Sequence, residues 1–140
     1  MKLTSLGFGL IGFTFAILPA NAGIDQALGH WKHPEKGTLI ETQRCGDDLC
    51  VVIFKTHEEG KTDENNPDPG LRARLLNGVT IIDHAKADGD NAWKGEVYNA
   101  EDGKTYGGYV KLLGPNELQM KGCRLSVFCK TVVWTKETVQ

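Results

Sequence analysis

Ala92-Trp-Lys-Gly-Glu-Val-Tyr-Asn99, then Ala100-Glu-Asp-Gly103, then Lys104-Thr-Tyr-Gly-Gly-Tyr-Val-Lys-Leu-Leu113 read as strand, turn and strand. Trp93, Gly95 and Val97 alternate against Lys94, Glu96 and Tyr98, the period-2 pattern of a strand with two unlike faces. Asp102-Gly103 is the dipeptide that best accepts the positive φ angles of a tight hairpin. Working outward, Glu117–Cys123 and Lys130–Lys136 follow as two further strands, separated from their predecessors by Gly114-Pro-Asn116 and by the Cys123–Cys129 loop. Upstream, Leu75–His84 is read as a strand around Val79-Thr-Ile-Ile82, ended by the turn Ala87–Asn91. Before it come Gly29–Lys32, Thr38–Cys45 and Cys50–Lys55, and a lead-in of one helical turn over 22–28.

Eight short strands joined mostly by tight turns, with no useful helical periodicity, predict an all-β fold. An antiparallel up-and-down meander of eight strands avoids unpaired edges by closing into a barrel. A β-sandwich uses the same strands but suits the meander order less well. Gly95, Gly107, Gly108 and Gly122 fall inside strand patterns, where glycine marks bends or bulges.

Residues 1–22 read as a cleaved N-terminal signal peptide. Lys2 begins it, Leu3–Leu18 form an apolar core, and Ala20-Asn21-Ala22 is a small-x-small cleavage site. Residues 23–140 then form one barrel domain, exported to the periplasm or secreted. Removing Lys2 from the 16 basic residues leaves 15 against 18 acidic ones, a net of −3. That balance gives no reason to expect nucleic acid or an anionic membrane as a partner. No stretch of the mature chain has the roughly 20 apolar residues of a spanning helix, so a transmembrane protein is not expected.

Cys45, Cys50, Cys123 and Cys129 all lie in the mature chain, and an oxidising compartment makes disulfides the expectation. The local pairs Cys45–Cys50 and Cys123–Cys129 are favoured because each flanks a short loop between strands that already approach one another. Bridges closing such loops give only about 2 kcal/mol each in the chain-entropy model, so geometry rather than entropy selects them. Cys-x4-Cys and Cys-x5-Cys are poor zinc spacings. His30 and His33, three apart in an extended chain, point to opposite faces, so solvent-exposed histidines are expected in place of a metal site. No cofactor is implied.

Between His57 and Arg74 the periodicity lapses. Asp63, Asn66, Asp68, Arg72 and Arg74 make the densest polar group in the chain. As a ligand clamp, the arginine forks would grip a carboxylate or phosphate. As structure, the acids and arginines would pair with one another, one arginine reaching Asp63 or Asp68 and fixing the loop on the rim. Trp31, Trp93, Trp134, Tyr98, Tyr106 and Tyr109 could line a cavity or fill it, since eight strands enclose room for either side chains or one small guest. Glu101 and Asp102 are a hairpin turn before they are an acid–base pair. No motif of a nucleophile, zinc protease or phosphate loop is present, and an enzyme is not expected.

Gly29-x-Trp31 resembles the opening signature of lipocalins and calycins, which implies that the Trp closes one barrel end with a basic residue of the last strand across it, here Lys136. The mature chain as a whole is similar to the bacterial family DUF2147. That family shows Asp-x-x-Asn-Pro-Asp-Pro-x-Leu-Arg-x-Arg-Pro-Leu-x-Gly, matched by Asp63–Gly78 with Leu75 in place of proline. Its Trp-x-Gly-x-Ile-Tyr-x-Pro-x-Asp-Gly-Lys-x-Tyr is matched from Trp93 to Tyr106, with Val97 for Ile and Ala100 for Pro. Gly122-Cys123 and Trp134-Thr135-Lys136 match the remainder, Lys standing for Arg. The resemblance implies an exported lipocalin-like domain and supplies no catalytic residues. Two functions follow: a carrier of a small, partly apolar molecule that can be anionic, or an interaction protein of the bacterial envelope with a filled barrel.

Overall fold

A computed structural model describes residues 7, 9–15 and 22–140. The expected leader and its cleavage site fall largely outside the described residues.

A six-residue helix, α1 (Ala22–Ala27), leads into eight strands: β1 (Gly29–Lys32), β2 (Leu39–Cys45), β3 (Asp48–Lys55), β4 (Thr80–Ala87), β5 (Ala92–Asn99), β6 (Lys104–Gly114), β7 (Glu117–Arg124) and β8 (Phe128–Glu137). Each pairs antiparallel with its sequence neighbour, and β1 also pairs with β8, so the sheet is a closed up-and-down barrel. The only other helical piece among the described residues is a 3₁₀ turn at Pro69–Leu71, in the long β3–β4 connection.

The two ends differ. At one, α1 and the short β2–β3, β4–β5 and β6–β7 turns gather around Trp31. Its Nε1 donates to Ala27 O and Thr42 Oγ1, each at 3.1 Å, and the Thr42 hydroxyl in turn donates to Ala27 O. Ile24 and Ala27 of α1 join Trp31, Leu49, Ala85, Trp93, Val110, Leu112 and Leu118 in the main core, which plugs this end. Lys136 sits opposite Trp31 in the β1–β8 register, its Nζ 4.4 Å from the ring centroid and 2.6 Å from Leu28 O. Burial lowers the pKa of this lysine. Gly29 makes the approach possible: its φ is +130°, and a Cβ there would lie 2.6 Å from Lys136 Nζ.

Three details depart from the sequence expectation. β4 starts at Thr80 and ends at Ala87, where Leu75–His84 was expected. Leu76 and Val79 instead bury in a second small core with Ile53, which pulls the chain through Gly78 (φ +93°) before the strand can begin. Leu75 pairs only through an isolated bridge to Thr62. Second, of the bends or bulges expected at the glycines inside strands, only bends fit: the register shifts fall in β2, β3, β4 and near Leu112–Gly114. Gly95, Gly108 and Gly122 lie directly opposite one another across β5, β6 and β7. A Cβ on Gly95 would meet Ala85 Cα at 3.2 Å and one on Gly108 would meet Val97 N at 3.1 Å, so this row lets the wall curl inward. Third, His33 is buried rather than exposed: its Nδ1 accepts from Glu35 N and Lys36 N, both at 3.1 Å, and caps the β1–β2 turn.

Gly29→Ala is expected to lower stability by about 1–3 kcal/mol, because a Cβ is forced into a backbone region that only glycine occupies freely. The loss should persist in a Gly29→Ala/Lys136→Ala background, since the strain is in the backbone and not in the flexible ammonium. Denaturant melts of the two variants and Lys136→Ala alone check this; full rescue by the second substitution would contradict it.

Candidate functional site

At the opposite end the β1–β2 loop, the long β3–β4 loop and the β5–β6 and β7–β8 hairpins surround a chamber of about 1310 Å³. Its wall is apolar: Ile40, Ile53, Ile82, Val97, Met120, Val132 and Trp134 face it. Its rim carries Lys36, Lys61, Arg124 and Lys130 together with Glu35, Glu58, Glu64 and Glu101. Lys36 is paired with Glu101 across two loops, and that contact holds the Glu101 carboxyl below the ordinary glutamate range. Lys61, Arg124 and Lys130 make no ion pair among the described residues. His33 borders the chamber beside Trp134, ring centroids 4.9 Å apart and nearly perpendicular. Burial first, and the Lys36 charge second, lower the His33 pKa, so the imidazole is neutral near pH 7, consistent with the lone pair that Nδ1 offers to two amides. The indole nitrogen of Trp134 is buried and meets no acceptor of the protein.

The long loop is organised by one carboxylate. Asp63 is fully buried. Its Oδ1 accepts from the Tyr98 hydroxyl at 2.6 Å, and its Oδ2 from Asn66 Nδ2 at 2.8 Å and from Arg74, Nε at 2.9 Å and a terminal nitrogen at 2.8 Å. The backbone repeats the connection, Asp63 N donating to Arg74 O at 2.9 Å. Arg72 Nε donates to Asn66 O at 2.8 Å, and Asp68 caps the 3₁₀ turn by accepting from Gly70 N at 2.9 Å. Asn65 Nδ2 ties the loop to the β5–β6 hairpin through Glu101 O at 2.9 Å. Gly103 is the seat of that contact: its φ is +71°, and a Cβ would fall 1.8 Å from Asn65 O.

Burial alone would raise the Asp63 pKa, but hydrogen bonds from Tyr98, Asn66 and Arg74, with the charge of Arg74, outweigh it and hold the carboxyl below its ordinary value of 3.8. Burial and the neighbouring carboxylate push Tyr98 up to about 12.

The residues singled out from sequence therefore divide. Asp63, Asn66, Asp68, Arg72 and Arg74 come together in the loop and spend their hydrogen bonds on one another and on Tyr98. Trp93 is buried in the main core and does not border the chamber. Tyr98 and Tyr106 do border it, Tyr98 held by Asp63 and Tyr106 donating to Asp102. Trp134 and Tyr109, also named from sequence, border the chamber, whereas Trp31 is buried in the main core. Sequence reasoning read His33 only as an exposed histidine and passed over Val132 and the three rim cations. One signal was available: Lys130, Val132 and Trp134 alternate along β8, opposite Gly122, Met120 and Leu118 in register, and so share its inner face.

Disulfides join Cys45 to Cys50, next to the β2–β3 turn, and Cys123 to Cys129, directly across β7 and β8. Among the described residues the grouping of metal-type donors is Cys45, Cys50 and His84, and both sulfurs are held in a disulfide. No helix of the described residues is long and apolar enough to cross a membrane.

Residues 29–136 match a family model described as an uncharacterized protein conserved in bacteria, DUF2147. The chain belongs to the DUF2147 family. A solved structure similar to this DUF2147 chain is protein HP1028 from Helicobacter pylori, described as belonging to the lipocalin family. It shares 24% identity and a TM-score of 0.71, covering 79% of this chain and 82% of that one. The likeness shows a lipocalin fold. No curated protein matches the sequence.

The Asp63 network sets two expectations. Arg74→Ala should cost about 3 kcal/mol by leaving a buried carboxylate without its cation, and Tyr98→Phe about 2 kcal/mol by removing a hydrogen bond to a charge. The depressed Asp63 pKa contributes stability that is complete above the unfolded-state value near 3.8 and is lost as pH falls through the lower folded value. The gap in melting temperature between wild type and Asp63→Asn should therefore be wide at neutral pH and narrow below that value. A gap independent of pH would show that the carboxylate is not held in its charged form.

Proposed function

We propose that the protein is an exported lipocalin-like carrier that holds a small, partly apolar molecule with an acidic group inside the barrel. The observation that carries this reading is the chamber: about 1310 Å³ of apolar-walled space reached through a charged rim. There the cations Lys61, Arg124 and Lys130, without ion pairs among the described residues, stand alongside the equally unpaired carboxylates Glu35, Glu58 and Glu64. Ligand pockets commonly run about 300–1,000 Å³, so a chamber of this size has room for a guest together with some of the open mouth. The wall supplies apolar burial at about 25 cal/mol per Å². The rim supplies Lys61, Lys130 and Arg124 for a carboxylate or phosphate. Arg72 and Arg74, committed to the loop, are not needed for that role.

The chamber favours this reading over a filled barrel that works only as a docking surface. Export is supported by the leader-like N-terminus, by two disulfides and by membership of a bacterial family. The reading involves binding and release without a chemical step.

Native mass spectrometry of protein purified from its own host should show a population heavier than the polypeptide by a small-molecule mass. Val132→Trp, which places an indole in the chamber, should reduce that population about tenfold while the melting temperature changes little. A bare polypeptide mass for wild type from several growth conditions would refute the carrier reading.

A further inference from the structure

The β7–β8 hairpin ends in an apolar tip at the chamber mouth that is exposed to solvent. Leu125, Val127 and Phe128 are 79%, 75% and 71% exposed. Leu125 and Ser126 hold φ angles of +54° and +58°, two consecutive left-handed residues without a glycine between them. That is the backbone of a primed hairpin turn, for which Asn-Gly is the ordinary choice. Here the turn is made by residues that gain nothing from it, and three apolar side chains stand in water. The Cys123–Cys129 bridge crosses the base of the tip, where the two cysteines are directly opposed, and holds it in this form.

The flanks of the tip are basic. Arg124 lies opposite Phe128, and Lys130 opposite Gly122, two register steps further down the hairpin. Lys104, on the neighbouring strand, borders the same shallow recess as Arg124 and Leu125. None of the three makes an ion pair among the described residues. The nearby carboxylates of Glu101 and Asp102 are engaged by Lys36 and by Tyr106. A convex tip of three apolar side chains falls well short of the roughly 1,000 Å² that a specific protein interface buries. It does match a lipid surface, where a few apolar groups enter between headgroups and neighbouring cations meet lipid phosphates.

We propose that the Arg124–Lys130 hairpin tip docks on an anionic lipid surface, seating Leu125, Val127 and Phe128 among the headgroups and turning the chamber mouth toward the bilayer. Val127, Phe128, Lys130 and Val132 all border the chamber, so the docked face continues into the apolar wall. The net negative charge of the chain does not oppose this, because the contact is local and charges beyond a Debye length of about 8 Å are screened. The docking stands apart from the carrier reading and holds whether or not the chamber takes a guest.

The test uses protein purified from its own host and sedimented with vesicles of phosphatidylethanolamine and phosphatidylglycerol, with phosphatidylcholine vesicles as the uncharged comparison. Wild type should sediment with the anionic vesicles and much less with the neutral ones. Val127→Ser/Phe128→Ser should weaken the binding about tenfold or more, and Lys130→Gln about fivefold, the contribution of one cation near an anionic surface. All three positions are on the surface, and an unchanged melting temperature confirms that the variants fold. A Phe128→Trp reporter should add fluorescence that moves to shorter wavelength when anionic vesicles are present. Absence of wild-type sedimentation, equal binding by the serine variant, or a reporter that does not shift each overturns the proposal.

Discussion

Closing an eight-stranded sheet requires its first and last strands to meet, and here they meet over one aromatic ring. Lys136 lies across Trp31 and bonds to Leu28 O, while the Trp31 indole reaches Ala27 and Thr42. The single ring thus joins β1, β2, β8 and the helical lead-in. Because this end is filled by Trp31 and the side chains packed with it, the chamber lies at the other end. The chamber follows from how the barrel is shut.

The open end needs a different kind of support, since its loops have little apolar surface to bury. A buried carboxylate provides it. Asp63 gathers Asn66, Arg74 and Tyr98, the loop's own backbone turns Asp68 and Arg72 back onto the same segment, and Asn65 anchors it on the β5–β6 hairpin. Directional hydrogen bonds to a charge hold their geometry more tightly than apolar contact would, and a rim fixed in this way keeps the mouth open. Arg74 is thereby turned to Asp63 and Arg72 Nε to Asn66 O, while Lys61, Arg124 and Lys130 on the rim have no ion-pair partner among the described residues.

Much of the architecture was legible in local signals. Asp102-Gly103 named its hairpin, Gly29-x-Trp31 and Lys136 named the closed end, and the spacing of each cysteine pair named its partner. What escaped was decided by contacts between distant segments. Leu75 to Val79 has the apolar content of a strand, yet Leu76 and Val79 are taken by a small core under the loop, so β4 begins later. The glycines within strands read as bends or bulges because sequence does not show register; opposed across three strands, they fit the bend. His33 gave no sign of burial, since its cap and its contact with Trp134 come from parts of the chain far from it in sequence or from turn geometry. For the site, the polar loop drew attention by composition, whereas the apolar wall looked like ordinary core.

The short first strand has a mechanical consequence. β1 and β8 share three register pairs, against eight between β5 and β6, and the stretch of β8 from Phe128 to Trp134 has no strand on its far side. The wall of the barrel therefore contains a slit at its upper margin, covered by the turn that His33 caps. A container with such a slit can widen sideways by unzipping a few hydrogen bonds, without disturbing the plugged base or the carboxylate-bound rim. Peptide hydrogens along upper β8 would then exchange with solvent ahead of those in β5, β6 and β7.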